Sequence, residues 1–354
     1  MPLTFFEVSF TSKESIIGGA HYPLGYFAAT VLELDLSFLH DFKIQLAAAR
    51  KELEVFFAAR TASSAGIAQE ELTKLWRFLY RLPVYHRLLG KDTSIHTLVS
   101  RMRSNPEELD AVFVSGTPQN EMYQRWISKL EKLPDELHAF VRNTSWMLEE
   151  YFEDLPSRKP EAYAKAFASY RRDIDAAFEY RAENNETDYT LDLDSVQLSY
   201  PVNVSFVPVS DPKTGTPMLA ERMTFENLVS FLYIDLHKGM AAGNVPRRCH
   251  NCHRWFLAIG GYNTVYCERR VPGDDGKKTC RDVGAHKKEK QKNATEFAEK
   301  EYSKVYNRLK ARKRRGQITV DEWNRKVALA QELKAEFKNR KIRDKDYIQK
   351  LDEL

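Results

Sequence analysis

Cysteine occurs at only four positions, Cys249, Cys252, Cys267 and Cys280, and all four fall inside the single stretch Arg247 to His286. Four thiols gathered in one window fit a tetrahedral zinc site, with each sulfur ~2.3 Å from one ion. Cys249 and Cys252 form a C-x2-C pair, in which a tight turn aims two sulfurs at the same point. Fourteen residues separate Cys252 from Cys267, enough for a hairpin. In that reading Trp255, Phe256 and Leu257 lead out, Gly260 and Gly261 turn, and Val265 and Tyr266 return. The segment Pro272-Gly273-Asp274-Asp275-Gly276 must then fold back to bring Cys280 to the metal. Thr279 is placed to cap a following helix, which sets Cys280 at a helix N-terminus, where the dipole favours thiolate.

Four thiolates fill the coordination sphere of one Zn2+, so the expected role of the metal is structural. A catalytic zinc keeps an open position for water. His250, His253 and His286 could each replace a sulfur, and an iron-sulfur cluster would use the same four ligands.

The charge is divided along the chain. From Val245 onward there are 29 Lys+Arg against 16 Asp+Glu, a net of +13, and the total of +4 leaves −9 for the first 244 residues. A basic region joined to an acidic one points to a polyanionic partner, with nucleic acid the first candidate. The candidate contacts near the metal are Arg247, Arg248, Arg254, Arg269, Arg270 and Lys277. Lys287, Lys288 and the run Arg312, Lys313, Arg314 and Arg315 add to them. No run of ~20 apolar residues spans a membrane, since Glu33 and Asp35 interrupt the most apolar stretch. MPLTFFEVSF lacks the basic and apolar regions of an export signal. The expected location is therefore the cytoplasm, where clustered thiols stay reduced and bind metal.

Hydrophobic periodicity gives a fold class of mainly α with a small β segment (α+β). Residues 1–184 read as an acidic, mostly helical domain after a short strand at Phe6 and Val8. Helices are expected from Ser37 to Arg60, Ala68 to Leu82 and Ser94 to Arg103. Two more are expected between Asn120 and Leu155, with Pro134 opening the second, and another carries Tyr163, Phe167, Tyr170 and Ile174. Residues 185–244 read as two or three short strands, alternating at Leu191 and Leu193, Val196 and Leu198, and Val202, Val204 and Phe206. A helix capped by Thr224 and running to Met240 packs on them. Residues 245–286 form the four-cysteine, zinc-ribbon-like unit. Residues 287–354 form a basic αα-hairpin and tail: one helix carries Phe297, Tyr302, Val305 and Leu309, Gly316 ends it, and a capping box at Thr319 opens the next.

The pattern Cys249-x2-Cys252, Arg254, Phe256, Tyr266-Cys267, Thr279-Cys280-Arg281 and Gly284, followed by a lysine-rich helix, resembles the CGNR-type bacterial zinc fingers. It is closer to an uncharacterised bacterial family that ends in the same four-cysteine unit and basic helices. The likeness covers residues 225 to 340. It implies a DNA-binding finger carried behind a helical domain, as in transcription regulators or mobile-element accessory factors. The Cys-Gly-Asn-Arg signature itself is replaced here by Cys280-Arg281-Asp282-Val283, and the PGDDGKK insertion has no counterpart.

The leading expectation is a zinc-containing protein that binds nucleic acid, DNA in the first instance. One alternative is a protein-interaction module in which zinc only staples a small domain and the basic hairpin docks an acidic partner. Another is an enzyme with an active site in residues 1–240. No His-Glu-x-x-His, nucleophile-base or phosphate-loop motif marks such a site, and the loop GGAHYPLG lacks the Gly-Lys-Ser/Thr ending that holds phosphates.

Overall fold

The computed structural model describes residues 6–88, 111–112, 114–184, 202–211, 214–260, 264–271 and 278–354. The helix expected at Ser94 to Arg103 and the strands expected at Leu191 to Tyr200 lie outside them. The chain divides into two compact units, Met1–Cys249 with His253–Val265, and His250–Cys252 with Tyr266–Leu354. The architecture is mainly α with small antiparallel sheets, and among the described residues no helix is long and apolar enough to cross a membrane.

The first unit is built on a five-stranded antiparallel sheet of order β3-β2-β1-β5-β4. Its strands are β1 (Phe6–Phe10), β2 (Glu14–Ile17), β3 (Ala20–Pro23), β4 (Asn203–Ser210) and β5 (Pro217–Phe225). β1 pairs along its whole length with β5, Phe6 opposite Phe225 and Phe10 opposite Glu221. Residues 185–244 are therefore not a separate domain. The alternation at Val202, Val204 and Phe206 correctly marks β4, but β5 is a strand that the sequence reading does not mark, and it is β5 that joins β1. In this chain the partner lies some two hundred residues earlier.

A run of helices follows the first three strands. α1 (Tyr26–Val31) follows β3 directly, then come α2 (Leu36–Ala59), α3 (Ala62–Arg81) and the single turn α4 (Tyr85–Leu88). The break between α2 and α3 is a left-handed Arg60 followed by a capping box between Thr61 and Ser64, so α3 begins at Ala62, ahead of the expected start at Ala68. α5 (Pro118–Met147) runs unbroken through the position where two helices were expected, with Pro134 inside it. An interior proline removes one backbone hydrogen bond and costs ~3 kcal/mol. Here Leu130, Leu133, Leu137 and Phe140 bury one continuous face across it, and that burial outweighs the loss. A π-helical turn at Leu148–Phe152 ends the helix, and α6 (Pro160–Asn184) follows.

α7 (Leu228–Ala241) is capped by Asn227, whose side chain accepts from the Ser230 N–H at 2.7 Å. The expected cap, Thr224, instead pairs with Glu7 inside β5. Phe231 on α7 meets Phe6, Phe27 and Phe225 at centroid distances of 5.7, 5.3 and 5.4 Å, which fastens the helix to the sheet. α7 and α1 meet at two glycines: a Cβ on Gly239 would sit 2.9 Å from the Gly25 Cα. That approach brings the fully buried Asp235 under the start of α1. Its carboxylate accepts from the backbone N–H of Gly25, Phe27 and Ala28 at 3.0, 2.9 and 3.1 Å. Gly25, with φ of 86°, has no side chain to cap the helix itself, so Asp235 does it from another element.

In the second unit α8 (Cys280–Arg314), α9 (Val320–Lys338) and α10 (Asp344–Asp352) share one core. α8 and α9 make the expected helical hairpin, with Ile318 buried in the connection and Thr319 capping α9. The tail is not a loose end. Tyr347 and Leu351 of α10 are buried, the Tyr347 ring stacks on Phe337 at 4.7 Å, and its hydroxyl donates to the Ala298 carbonyl at 3.0 Å.

Candidate metal centre

The two cysteines of the C-x2-C pair lie on the turn of a hairpin formed by β6 (Val245–Arg248) and β7 (Trp255–Ala258), with Arg248 opposite Trp255. The expected hairpin, with β7 returning through Val265 and Tyr266, is thus replaced by one that uses the residues before Cys249. Pro246, Phe256 and Leu257 fill its middle. The turn is closed by Cys249 N–H to the Arg254 carbonyl at 2.9 Å and His253 N–H to the Cys249 carbonyl at 2.8 Å. His253 adopts a left-handed φ of 58°, which lets the chain reverse so tightly. Arg248 braces the turn: its guanidinium lies 4.7 Å from the Trp255 ring centre, donates to the His253 carbonyl at 3.0 Å, and pairs with Glu149. Below it, Asn244 donates to the Leu24 carbonyl and accepts from the Gly260 N–H, both at 3.0 Å.

The second pair of cysteines is brought together by a short antiparallel ladder. Arg270 bridges Thr279, Val271 N–H donates to the Lys278 carbonyl at 3.0 Å, and Cys280 N–H donates to the Arg269 carbonyl at 2.9 Å. Thr279 caps α8 as expected, in a capping box with Asp282. The Thr279 hydrogen bonds hold the Asp282 carboxyl below its usual range. Cys280 therefore opens the helix, with its sulfur at the positive end of the dipole. Gly284 lies one turn on, flat against the Tyr266 ring, and a Cβ there would fall 2.3 Å from the ring. The His250 ring meets the same tyrosine edge-on at 6.1 Å.

The outcome is a cluster of four sulfurs, from Cys249, Cys252, Cys267 and Cys280, all within 4.8 Å of one another. Four sulfurs ~2.3 Å from a central ion stand about 3.8 Å apart in a tetrahedron. The Cys252 and Cys267 sulfurs are 3.6 Å apart, a ligand-to-ligand spacing and far beyond a disulfide's ~2.05 Å. Cys249, Cys267 and Cys280 are buried, while Cys252 is half-buried. Asn251, which spacing alone does not single out, donates its side-chain N–H to the Cys280 sulfur at 3.4 Å. Hydrogen bonds of that kind orient thiolate ligands and spread their charge. His250, His253 and His286 are exposed, and none belongs to the cluster. The four-cysteine arrangement can hold one metal ion in a closed sphere.

The basic candidates separate by surroundings. Arg247 is only 3% exposed. It donates to the Thr264 carbonyl at 2.7 Å and to Glu153 at 3.2 Å, so it clamps the segment leading to Cys267 and cannot meet an outside partner. Its place two residues before Cys249 suggests a contact, but β6 buries Val245, Pro246 and Arg247 and exposes only Arg248. Arg254, Arg269 and Arg270 are exposed, as is Lys278, a neighbour of the expected Lys277. Lys277 and the side chains of Lys287 and Lys288 lie outside the described residues. At the end of α8, Arg314 and Arg315 are exposed, Arg312 is half-buried, and Lys313 sits 4.1 Å from the Trp323 ring centre.

The first unit contains a cleft of about 190 Å³ lined by Tyr85, Trp126, Lys129, Lys132, Glu136 and Glu226, among others. Burial pushes Glu136 above and Lys129 below their usual ranges. The lining holds no serine, cysteine or histidine, and its titratable groups are lysines, carboxylates and Tyr85.

Residues 197–353, which run from the last strands of the sheet through the cysteines to the end of α10, match a family of unknown function (DUF6076). No curated protein and no solved structure matches the chain.

Proposed function

We propose that the protein binds nucleic acid, and that one zinc ion held by Cys249, Cys252, Cys267 and Cys280 shapes the surface that does so. The carrying observation is that exposed cationic side chains lie close in sequence to cysteines that are mostly buried. Arg254, Arg269, Arg270 and Lys278 face solvent, while three of the four sulfurs are buried. A closed tetrathiolate site has no open position for water or substrate, so the ion serves as a staple and the surrounding charges meet the partner. Guanidinium groups suit phosphate because their planar fork binds two oxygens at once. The net of +13 from Val245 onward supplies the long-range attraction. The resemblance of this segment to CGNR-type fingers points the same way and makes duplex DNA the first probe to try.

Fluorescence anisotropy with labelled DNA and RNA, in single- and double-stranded form, tests the reading across a salt series. Binding that weakens linearly on a log–log plot, by several powers of the salt concentration, is the expected result. The substitution of Arg254, Arg269 and Arg270 together by Gln should lower the slope by about 3, one for each phosphate that is no longer neutralised. No binding to any of the four nucleic acids at ~50 mM salt, where the electrostatic attraction is strongest, sinks the reading.

A further inference from the structure

We propose that α8 acts as a ruler that spaces two phosphate-contacting ends, so that the protein's partner is a nucleic-acid duplex of at least about 15 base pairs. The inference rests on the nucleic-acid reading above and adds the form and minimum length of the ligand. α8 is a single helix of 35 residues, which at 1.5 Å per residue is about 50 Å long. Its first residue, Cys280, belongs to the sulfur cluster, and its last turn carries Arg312, Lys313 and Arg314.

The charge along this helix is not uniform. At the metal end, Arg270 and Lys278 are exposed and have no ion-pair partner among the described residues. In the middle, positions 291–303 hold two lysines against three glutamates. Most of those charges are spent locally: Lys292 pairs with Glu296, and Glu299 is held by Lys334 and Lys338 from α9, while Lys300 is exposed. Between Glu301 and Asp321 there is no acidic residue at all, while seven basic ones follow one another. Three of the seven are committed within the unit. Lys304 pairs with Glu301, Arg308 donates to the Leu351 carbonyl at 2.9 Å, and Lys313 covers Trp323. Lys310, Arg314 and Arg315 are exposed and have no partner among the described residues. Lys310 and Arg314 stand four apart, one turn along the same face, about 6 Å.

Basic residues run from Arg270 through Lys290 at one end and from Lys304 to Arg315 at the other, with positions 291–303 near neutral between them. Ends whose far limits lie about 50 Å apart match a long stiff polyanion better than a compact one. Successive base pairs rise 3.4 Å, so 50 Å corresponds to about 15 of them. A duplex is stiff over ~500 Å and crosses that distance as a rod. A single strand has no such fixed length.

The full-length protein, titrated with DNA duplexes of 8, 12, 16, 20 and 24 base pairs and with their RNA counterparts, gives the test. Affinity at ~100 mM salt should rise at least tenfold between 12 and 20 base pairs and then level off. The salt slope should steepen by about 3 over the same interval. A variant with Lys310→Gln, Arg314→Gln and Arg315→Gln, checked for unchanged helicity by circular dichroism, should show neither change. Binding to duplexes without the step in length, a step kept by the triple variant, or tighter binding to single strands overturns the ruler and leaves the nucleic-acid reading intact. Absence of binding to every nucleic acid overturns both. Comparison of the DNA and RNA series identifies which duplex the protein takes.

Discussion

Replacing Asp235 by Ala should destabilise the first unit more than any exposed cap substitution in it. The carboxylate is fully buried and is the acceptor for three backbone N–H groups at the start of α1. Alanine leaves those donors without a partner, and water cannot reach them because Phe27 and Ala28 are buried. Each orphaned donor costs ~1–3 kcal/mol, so a loss of at least about 3 kcal/mol is expected. Asp35 provides the internal comparison. It caps α2 by accepting from the Ser37 N–H at 3.0 Å, but it does so in solvent. Its substitution by Ala should cost markedly less. Urea unfolding at pH 8, followed by tryptophan fluorescence and far-ultraviolet circular dichroism, would measure both variants against the parent. A loss below about 1 kcal/mol for Asp235→Ala, or no difference between the two variants, refutes the claim that α1 is capped from α7.

Three further outcomes are expected. Burial pushes the Asp235 carboxyl up to about 7 in spite of the three N–H donors, so the native state binds a proton that the unfolded chain has released above pH ~4. This residue's contribution to stability therefore falls as pH rises from about 4 to 7, and the stability difference between parent and Asp235→Asn should change over that window; parallel curves would rule this out. Gly284→Ala must move the Tyr266 ring, since the added carbon would lie 2.3 Å from it; a chelator should then strip metal at least several-fold faster than from the parent, and an unchanged rate contradicts the packing. Tyr347→Phe removes the hydrogen bond to Ala298 from a buried ring, and should cost the second unit about 1 kcal/mol in urea unfolding, whereas no loss would mean that α10 is not anchored as described.

The features read correctly from the sequence are those set by neighbours in the chain. The helical stripe of Leu39, Phe42, Leu46 and Leu53, the caps at Thr279 and Thr319, and the convergence of four cysteines all depend on residues close in sequence. The errors share a different cause. β4 was visible as a strand but β5 was not, and the pairing of β5 with β1 is decided by packing of Phe6, Phe225 and Phe231 across most of the unit's sequence. Pro134 marks a helix start in isolation, but a buried face continuous on both sides of it overrides the local rule. Arg247 looks like Arg248 in composition, and only its burial against the Thr264 carbonyl and Glu153, distant in sequence, tells the clamp from its exposed neighbour. Asn251 could have been found from its place inside the C-x2-C turn, where a side-chain amide stands within reach of a facing sulfur.

Metal analysis of freshly purified protein tests most directly whether the four cysteines hold one ion. Inductively coupled plasma mass spectrometry should find one zinc per chain. The four thiols should be slow to react with a thiol reagent until a chelator is added, and then react together as the zinc is released. A protein that carries less than about a tenth of an equivalent of any metal, with four freely reactive thiols that a chelator does not change, would contradict the account. One that carries iron and absorbs in the visible would keep the cluster and replace the ion.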